Sequence, residues 1–179
     1  WAAMSYEQRA EIMLKATRIL ALHESDMSAL QCREMGKPIG MCRDEWREVI
    51  RLFNGFIAAG KHQYGKTFPN VSAAGGLGDI AFTVTEPLGV VVCIGPFNFP
   101  LTTPTFKAAA SLILGNAVII KAPSDCPLTV LRYVHLLNEA GFPAGAVQAV
   151  SGRGSVMGDW LTDNDIVRAI GFTGSTQVG

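Results

Sequence analysis

The sequence predicts an α/β fold in which a doubly wound, Rossmann-like parallel sheet follows a helical N-terminal segment. Short apolar segments alternate with helical segments from residue 88 onward, a pattern typical of parallel β-α-β units. Before residue 65, apolar residues recur at the spacing of helices instead. We therefore divide the chain into a helical segment (1–65), a linker with one separate strand (66–87) and a sheet domain (88–179).

Three helices are predicted in the N-terminal segment. Ser5 and Gln8 have the spacing of a capping box, so the first helix begins there. The second helix covers residues 25–35, because a glycine and then a proline follow it. The third spans residues 41–62. Its charged residues are interpreted as a solvent-facing side: Arg43, Asp44, Glu45, Arg47, Glu48 and Arg51.

The separate strand and the sheet come next. Residues 66–79 are predicted as a loop, whose glycines lack the strand and helix that flank a phosphate-binding loop. Residues 80–85 alternate as an exposed strand, and Gly174 is expected to begin a final helix. The sheet strands are predicted at 88–94, 116–121, 146–150 and 167–172, and the helices between them at 103–114, 127–140 and 155–161.

Composition and charge exclude several classes of protein. Lys and Arg number 15, as do Asp and Glu, and no basic block indicates a nucleic-acid or membrane-surface partner. No apolar run approaches the ~18–20 residues of a membrane span, and no signal peptide opens the chain. The four cysteines lack metal-binding spacing, so no metal site is predicted. Free thiols fit the reducing cytoplasm.

Polar and glycine-rich segments follow each of the four predicted sheet strands. Ligands of doubly wound sheets bind at the carboxyl ends of the strands, so we expect these segments to meet at one edge. Their hydroxyls, amide and lysine indicate an anion or nucleotide site. The segments are Gly95–Asn98, Lys121–Ser124, Ser151–Gly154 and Thr173–Ser175.

Two glycine-containing turns are candidates for contact with such a ligand. Gly174 allows a tight turn, after which helical N–H groups and the Ser175 hydroxyl can hold a phosphate. An ordinary strand-to-helix turn explains the same residues equally well. The glycines from Gly152 to Gly158 nearly match a dinucleotide fingerprint but follow the third strand, so Gly154 and Gly158 are interpreted as leaving room for a flat group.

Lys121 and Asn98 are candidate polar contacts within this edge. Lys121 ends an apolar strand, where its amine can reach a ribose hydroxyl, a phosphate or a carboxylate, or extend to solvent. Asn98 lies between two phenylalanines, where an amide can donate to a developing oxyanion. A simple turn asparagine before Phe-Pro is the alternative.

Several motifs in this order resemble the aldehyde dehydrogenase superfamily, with some likeness to non-phosphorylating glyceraldehyde-3-phosphate dehydrogenases. The resemblance covers essentially the whole chain. It implies an aldehyde-dehydrogenase-like fold in which residues 88–179 bind NAD(P) and end before the catalytic domain. The motifs are Glu86–Val91, Pro96–Pro100, Gly115-Asn116 with Lys121, Gly141–Gly145, Phe172–Thr176 and, in the helical segment, Glu34–Pro38.

The resemblance also implies roles for individual residues. Asn98 matches the oxyanion-hole asparagine, Lys121 matches the lysine that binds the adenosine ribose, and Lys107 resembles a lysine near the general base. Gly154 and Gly158 match glycines beside the adenine. The remaining cofactor-binding matches are Ile94, Pro96 and Phe97, which line the cleft, and Phe172, Thr173, Gly174, Ser175 and Val178, which carry the pyrophosphate.

One departure from the family pattern concerns the cofactor. NAD-preferring members usually have glutamate where this sequence has Ser124, three residues after Lys121. A hydroxyl there leaves room for a 2′-phosphate and can donate a hydrogen bond to it, although the adjacent Asp125 restores some repulsion of the phosphate. The resemblance therefore implies NADP or NAD as cofactor, with NADP at least tolerated.

The family's nucleophilic cysteine and general-base glutamate lie downstream of the last motif. The resemblance thus implies oxidation of an aldehyde to a carboxylate by a longer parent protein, and the 179-residue chain alone is expected to be inactive. A CoA-acylating or reductive relative and a non-catalytic dinucleotide-binding or structural relative are the alternatives. The resemblance favours small hydroxylated or phosphorylated aldehydes as substrates. The strand at 80–85 resembles the family's oligomerisation arm, so a homodimer or homotetramer is expected.

Overall fold

The computed structural model describes residues 1–69 and 80–179, and three helices form its N-terminal segment. They are α1 (Tyr6–Leu22), α2 (Glu24–Met35) and α3 (Ile39–Gly60). Ser5 and Gln8 form the predicted capping box at the start of α1. Gly36 ends α2 in the left-handed conformation, with φ of 74°, which explains why a glycine stands there.

The first two strands form a small antiparallel pair outside the main sheet. Strand β1 (Thr67–Pro69) pairs with β2 (Ile80–Phe82), and the residues of both are exposed. The prediction of a loop from residue 66 was therefore wrong at β1, and the strand predicted at 80–85 is shorter than expected. The glycines predicted to be a plain linker, from Gly75 to Gly78, lie outside the described residues.

The main sheet has four parallel strands in the order β5-β4-β3-β6. The chain moves outward from β3 through β4 to β5 and then returns, so β6 pairs with the other side of β3. This reversal is the switch point at which doubly wound sheets bind ligands. The elements are β3 (Val90–Ile94), α4 (Thr102–Ile113), β4 (Ala117–Ala122), α5 (Pro127–Glu139), β5 (Val147–Ser151), α6 (Gly154–Thr162) and β6 (Val167–Phe172).

One hydrophobic core joins the N-terminal helices to the sheet. Helices α4 and α5 pack on the sheet, and α1, α2 and α3 pack on these two helices in turn. Alternate residues of the central strands, such as Cys93 and Ile120, belong to this core. Because neighbouring strand residues point to opposite faces, Ile94 and Lys121 face the other side of the sheet, where α6 lies.

The buried side of α3 contains a carboxylate that was expected to face solvent. The buried residues of α3 recur at helical spacing, and Glu45 is among them with 3% of its surface exposed. The interpretation of Glu45 as part of a solvated face was therefore wrong. Its position three residues after Cys42 and four before Val49 places it on the apolar stripe.

The last residues form a single hydrogen-bonded turn at the position where a helix is expected to begin. The N–H groups of Val178 and Gly179 both donate to the carbonyl oxygen of Ser175, at 3.1 and 3.2 Å. No α-helix is formed after β6 in this described stretch. Among the helices of the described residues, none combines the length and apolarity that crossing a bilayer requires.

Candidate functional site

A cavity of about 600 Å³ lies at the carboxyl edge of the sheet, on the face opposite the helical core. The ends of β3, β4 and β6 form its floor, and α6 forms its wall. Six of the predicted cofactor-binding residues line it: Ile94, Lys121, Gly154, Gly158, Phe172 and Val178. The prediction that distant strand ends meet at one edge is therefore confirmed for β3, β4 and β6.

Strand register brings the floor of the cavity together. Ile94 pairs with Lys121 on one side and with Phe172 on the other. Lys121 is half-buried, and burial lowers the pKa of its amine, with Asp125 opposing that effect. A single cation thus stands in an otherwise largely apolar floor.

Helix α6 presents small residues to the cavity. Gly154 and Gly158 are one helical turn apart on the side that also carries Leu161. A Cβ atom added at either glycine would meet nothing within 4 Å, so both face open space. This flat, side-chain-free strip beside an apolar floor can accept a planar ring.

Ser124 lies at the rim of this region and does not line the cavity as described. Its hydroxyl donates to the carbonyl oxygen of Gly152 at 3.3 Å, and the residue is exposed. The contact joins the loop after β4 to the loop after β5. Because the bond is long and exposed, the hydroxyl is free to turn towards a ligand at the rim.

The turn after β6 is fixed from two sides. The Thr173 N–H donates to the carbonyl oxygen of Ile94 at 3.2 Å, and the Lys107 amine donates to the Thr173 hydroxyl at 2.7 Å. Burial lowers the pKa of Lys107. A Cβ atom at Gly174 would lie 2.5 Å from the Phe172 ring, so a side chain at this position would require the ring to move. Ser175, which follows, is exposed.

The loop between β3 and α4 carries Asn98 at the same edge. The Asn98 side chain is exposed, and its backbone carbonyl oxygen accepts a hydrogen bond from Lys37 Nζ at 3.0 Å. Phe97 is also exposed, and its carbonyl oxygen accepts from the Cys126 thiol at 3.6 Å. Pro96 and Phe97 do not contribute to the described cavity wall, and the loop lies to one side of it.

Two carboxylates from the N-terminal helices cap the helices that begin at this edge. Glu45 Oε1 accepts the N–H groups of Leu101 and Thr102 at the start of α4, both at 3.0 Å. Glu34 accepts the N–H groups of Leu128 and Thr129 at the start of α5, at 2.6 and 2.8 Å. Carboxylates favour helix N-termini because both the free N–H groups and the helix dipole attract them.

Sequence reasoning missed these caps and part of the cavity wall. Ile170 lines the cavity two residues before Phe172, and the period of two along a strand was a usable signal. Leu161 could have been found from its helical spacing to Gly154 and Gly158. Glu45 also had a signal in the apolar stripe of α3, whereas nothing local identified Lys37 as buried.

The buried cysteines of this chain are poor nucleophiles. Burial raises the pKa values of Cys93 and Cys126 to about 12. At pH 8 only about one thiol in 10⁴ would then be ionised, so we expect both to resist iodoacetamide in the folded protein. Cys32 is half-exposed and should react first, as mass spectrometry of labelled peptides would show. Labelling of Cys93 as fast as Cys32 would contradict this, and urea-unfolded protein provides the control.

Comparison with known proteins assigns the chain to a family. The profile described as aldehyde dehydrogenase family matches residues 1–179, the whole length of the sequence. The chain belongs to the aldehyde dehydrogenase family. The resemblance inferred from the motifs and the expected α/β fold are thereby confirmed.

Similar proteins include enzymes acting on different aldehydes. The chain is 37% identical to 2,5-dioxopentanoate dehydrogenase of Saccharolobus solfataricus, over all of this chain and 37% of that protein. It is 35% identical to the NADP-dependent glyceraldehyde-3-phosphate dehydrogenase of Streptococcus equinus, over all of this chain and 38% of that one. The chain thus spans little more than a third of the length of these relatives.

A solved structure shows the same fold in an aldehyde dehydrogenase. The NADP-dependent glyceraldehyde-3-phosphate dehydrogenase of Bacillus halodurans, complexed with NADP, superposes with a TM-score of 0.93. It is 30% identical to this chain, and the match covers 99% of this chain and 37% of that structure.

Proposed function

We propose that this aldehyde dehydrogenase chain provides the NAD(P)-binding part of an enzyme that oxidises an aldehyde to a carboxylic acid. The observation that carries the proposal is the cavity at the switch point of the sheet, with one lysine in its floor and a glycine strip on its wall. The NADP complex of a relative with the same fold supports it. When bound, the nicotinamide would accept the hydride.

The described residues suit a dinucleotide in size and chemistry. A cavity of about 600 Å³ falls in the range of cofactor sites, and its flat wall at Gly154 and Gly158 would accept the adenine. The Lys121 amine would donate to the ribose. The turn formed by Thr173, Gly174 and Ser175 would hold the pyrophosphate through the N–H groups of Gly174 and Ser175 and through the hydroxyls of Thr173 and Ser175.

Asn98 is proposed as the catalytic residue within this chain. Its exposed side chain at the sheet edge can donate an amide N–H to the oxyanion that forms when a thiol adds to the aldehyde. Neither Cys93 nor Cys126 suits the role of that thiol, since burial keeps both protonated. We infer that the nucleophilic cysteine and the general-base glutamate belong to the parent protein outside these 179 residues.

The activity test uses the complete polypeptide. Aldehyde-dependent formation of NADPH or NADH, with the carboxylic acid as product, is the expected result. Formation of an acyl-CoA only when CoA is present would instead establish the acylating alternative. Absence of reduced cofactor with a broad panel of small hydroxylated and phosphorylated aldehydes, the substrate class we favour, would support a non-catalytic role.

Ser124 provides a test of cofactor preference. Replacing Ser124 by glutamate places a negative charge in the loop that follows β4, where it would repel a ribose 2′-phosphate. We expect the Kd for NADP to rise at least about tenfold while the Kd for NAD changes little. Ser124→Ala, which removes the hydroxyl without adding charge, is the control. NAD binding far more tightly than NADP in the unchanged protein would refute the assignment.

The β1–β2 pair is the proposed oligomerisation element. Phe68, Ile80 and Phe82 expose 44%, 70% and 71% of their surfaces. Large apolar side chains exposed together in this way are typical of a protein–protein interface. We infer a homodimer or homotetramer acting in the cytoplasm. Light scattering on the complete protein would measure the molar mass and so the number of subunits.

A further inference from the structure

A buried ion pair lies beneath the loop that carries Asn98. Lys37 Nζ is 2.5 Å from Glu45 Oε2, and the two side chains expose 6% and 0% of their surfaces. The same ammonium group donates to the carbonyl oxygen of Asn98 at 3.0 Å. It also stands 4.0 Å from the centroid of the Phe99 ring. Lys37 therefore contacts Asn98 and the residue after it.

The carboxylate of the pair fixes the far end of the same loop. Glu45 Oε1 accepts the N–H groups of Leu101 and Thr102, where the loop ends and α4 begins. Gln31 Nε2 donates to the other oxygen at 2.7 Å. The loop is thus held at its start by β3, in its middle by Lys37 and at its end by Glu45.

A requirement for accurate placement accounts for this arrangement better than stability does. A buried ion pair adds little stability over a well-packed apolar pair, because both charges lose their hydration. An oxyanion donor, however, must be held within about 0.5 Å of its productive position. The backbone of Asn98 is the point at which the buried charge meets the loop.

We propose that Lys37 and Glu45 are positioning residues for the Asn98 amide, acting through the backbone of the loop that carries it. The proposal rests on the proposed oxyanion role of Asn98. Glu34 provides an internal comparison, since it caps α5 as Glu45 caps α4 but its hydrogen bonds reach only Leu128 and Thr129 in the described residues.

The test is a double-mutant cycle between Lys37→Met and Asn98→Ala in the complete polypeptide. We expect K37M to lower kcat about tenfold in the otherwise unchanged protein, because the amide loses its alignment. In the N98A background the same change should cost less than about twofold. The cofactor KM should stay within about twofold throughout, since the cavity lies on the other face of the sheet.

Glu34→Gln is the matched control, with an expected fall in thermal midpoint and less than a twofold change in kcat. Equal fold-losses for K37M in both backgrounds would overturn the positioning role and leave that of Asn98 intact. An unchanged kcat in N98A alone would overturn the oxyanion role and this proposal together. If K37M does not fold, Glu45→Gln, which keeps an oxygen for α4, enters the same cycle with the same expected and contradicting results.

Discussion

Replacing Asn98 by alanine should lower kcat for aldehyde oxidation about 100-fold in the complete enzyme, since one oxyanion donor commonly contributes that much. The loss should fall on kcat and on kcat/KM for the aldehyde alike, because the hydrogen bond strengthens only as charge develops on the oxygen. The cofactor KM should hardly change. Asn98 lies outside the cavity wall, and its side chain is exposed.

Stability and a second asparagine provide the controls. The thermal midpoint of N98A should match that of the unchanged protein, because an exposed side chain contributes little to the core. Asn54, an exposed asparagine on α3, is the matched site, and Asn54→Ala should leave both kcat and the midpoint unchanged. A kcat for N98A within about twofold of the unchanged enzyme would remove Asn98 from the mechanism.

Replacing Glu45 by alanine should destabilise the protein by about 3–5 kcal/mol, the usual cost of leaving a buried charge without its partner. Lys37 would keep its ammonium group in a site that is 7% exposed, and two N–H groups at the start of α4 would lose their acceptor. Denaturant unfolding of the complete protein, monitored by tryptophan fluorescence, measures the change.

The double variant separates the lost charge from the lost cap. Adding Lys37→Met to E45A removes the unpaired cation and should restore part of the free energy of unfolding. Glu48 lies about one helical turn after Glu45 on α3, in a surface ion pair with Arg51. Glu48→Ala should change the free energy of unfolding by less than about 1 kcal/mol. If E45A were no more destabilised than E48A, the buried ion pair would contribute nothing to the free energy of unfolding.

Periodic elements were the part of the fold that the sequence predicted well. The bounds of β6 agree with the prediction, and those of α3 differ by two residues at each end. The spacing of apolar residues and the glycines that end helices are local signals, so they do not depend on contacts with distant parts of the chain.

The site was only partly predictable, for a physical reason. Strand ends share an edge by topology, so Ile94, Lys121 and Phe172 could be brought together from strand positions alone. The contact between Lys37 and Asn98 joins residues 61 positions apart through a helix packing that no local pattern specifies. Glu45 shows the limit most plainly, since its charge suggested solvent while its spacing placed it inside.

The caps of α4 and α5 have a consequence for the order in which the protein folds. Glu45 lies 56 and 57 residues before the two N–H groups that donate to it at the start of α4. Glu34 lies 94 and 95 residues before the two N–H groups that donate to it at the start of α5. The N-terminal helices leave the ribosome first, and Glu45 can then meet only Lys37 and Gln31, because the helix starts that Glu45 and Glu34 cap are synthesised later. Capping of α4 and α5 is therefore a set of contacts of high sequence separation, which slows folding and couples α2 and α3 to these two helices.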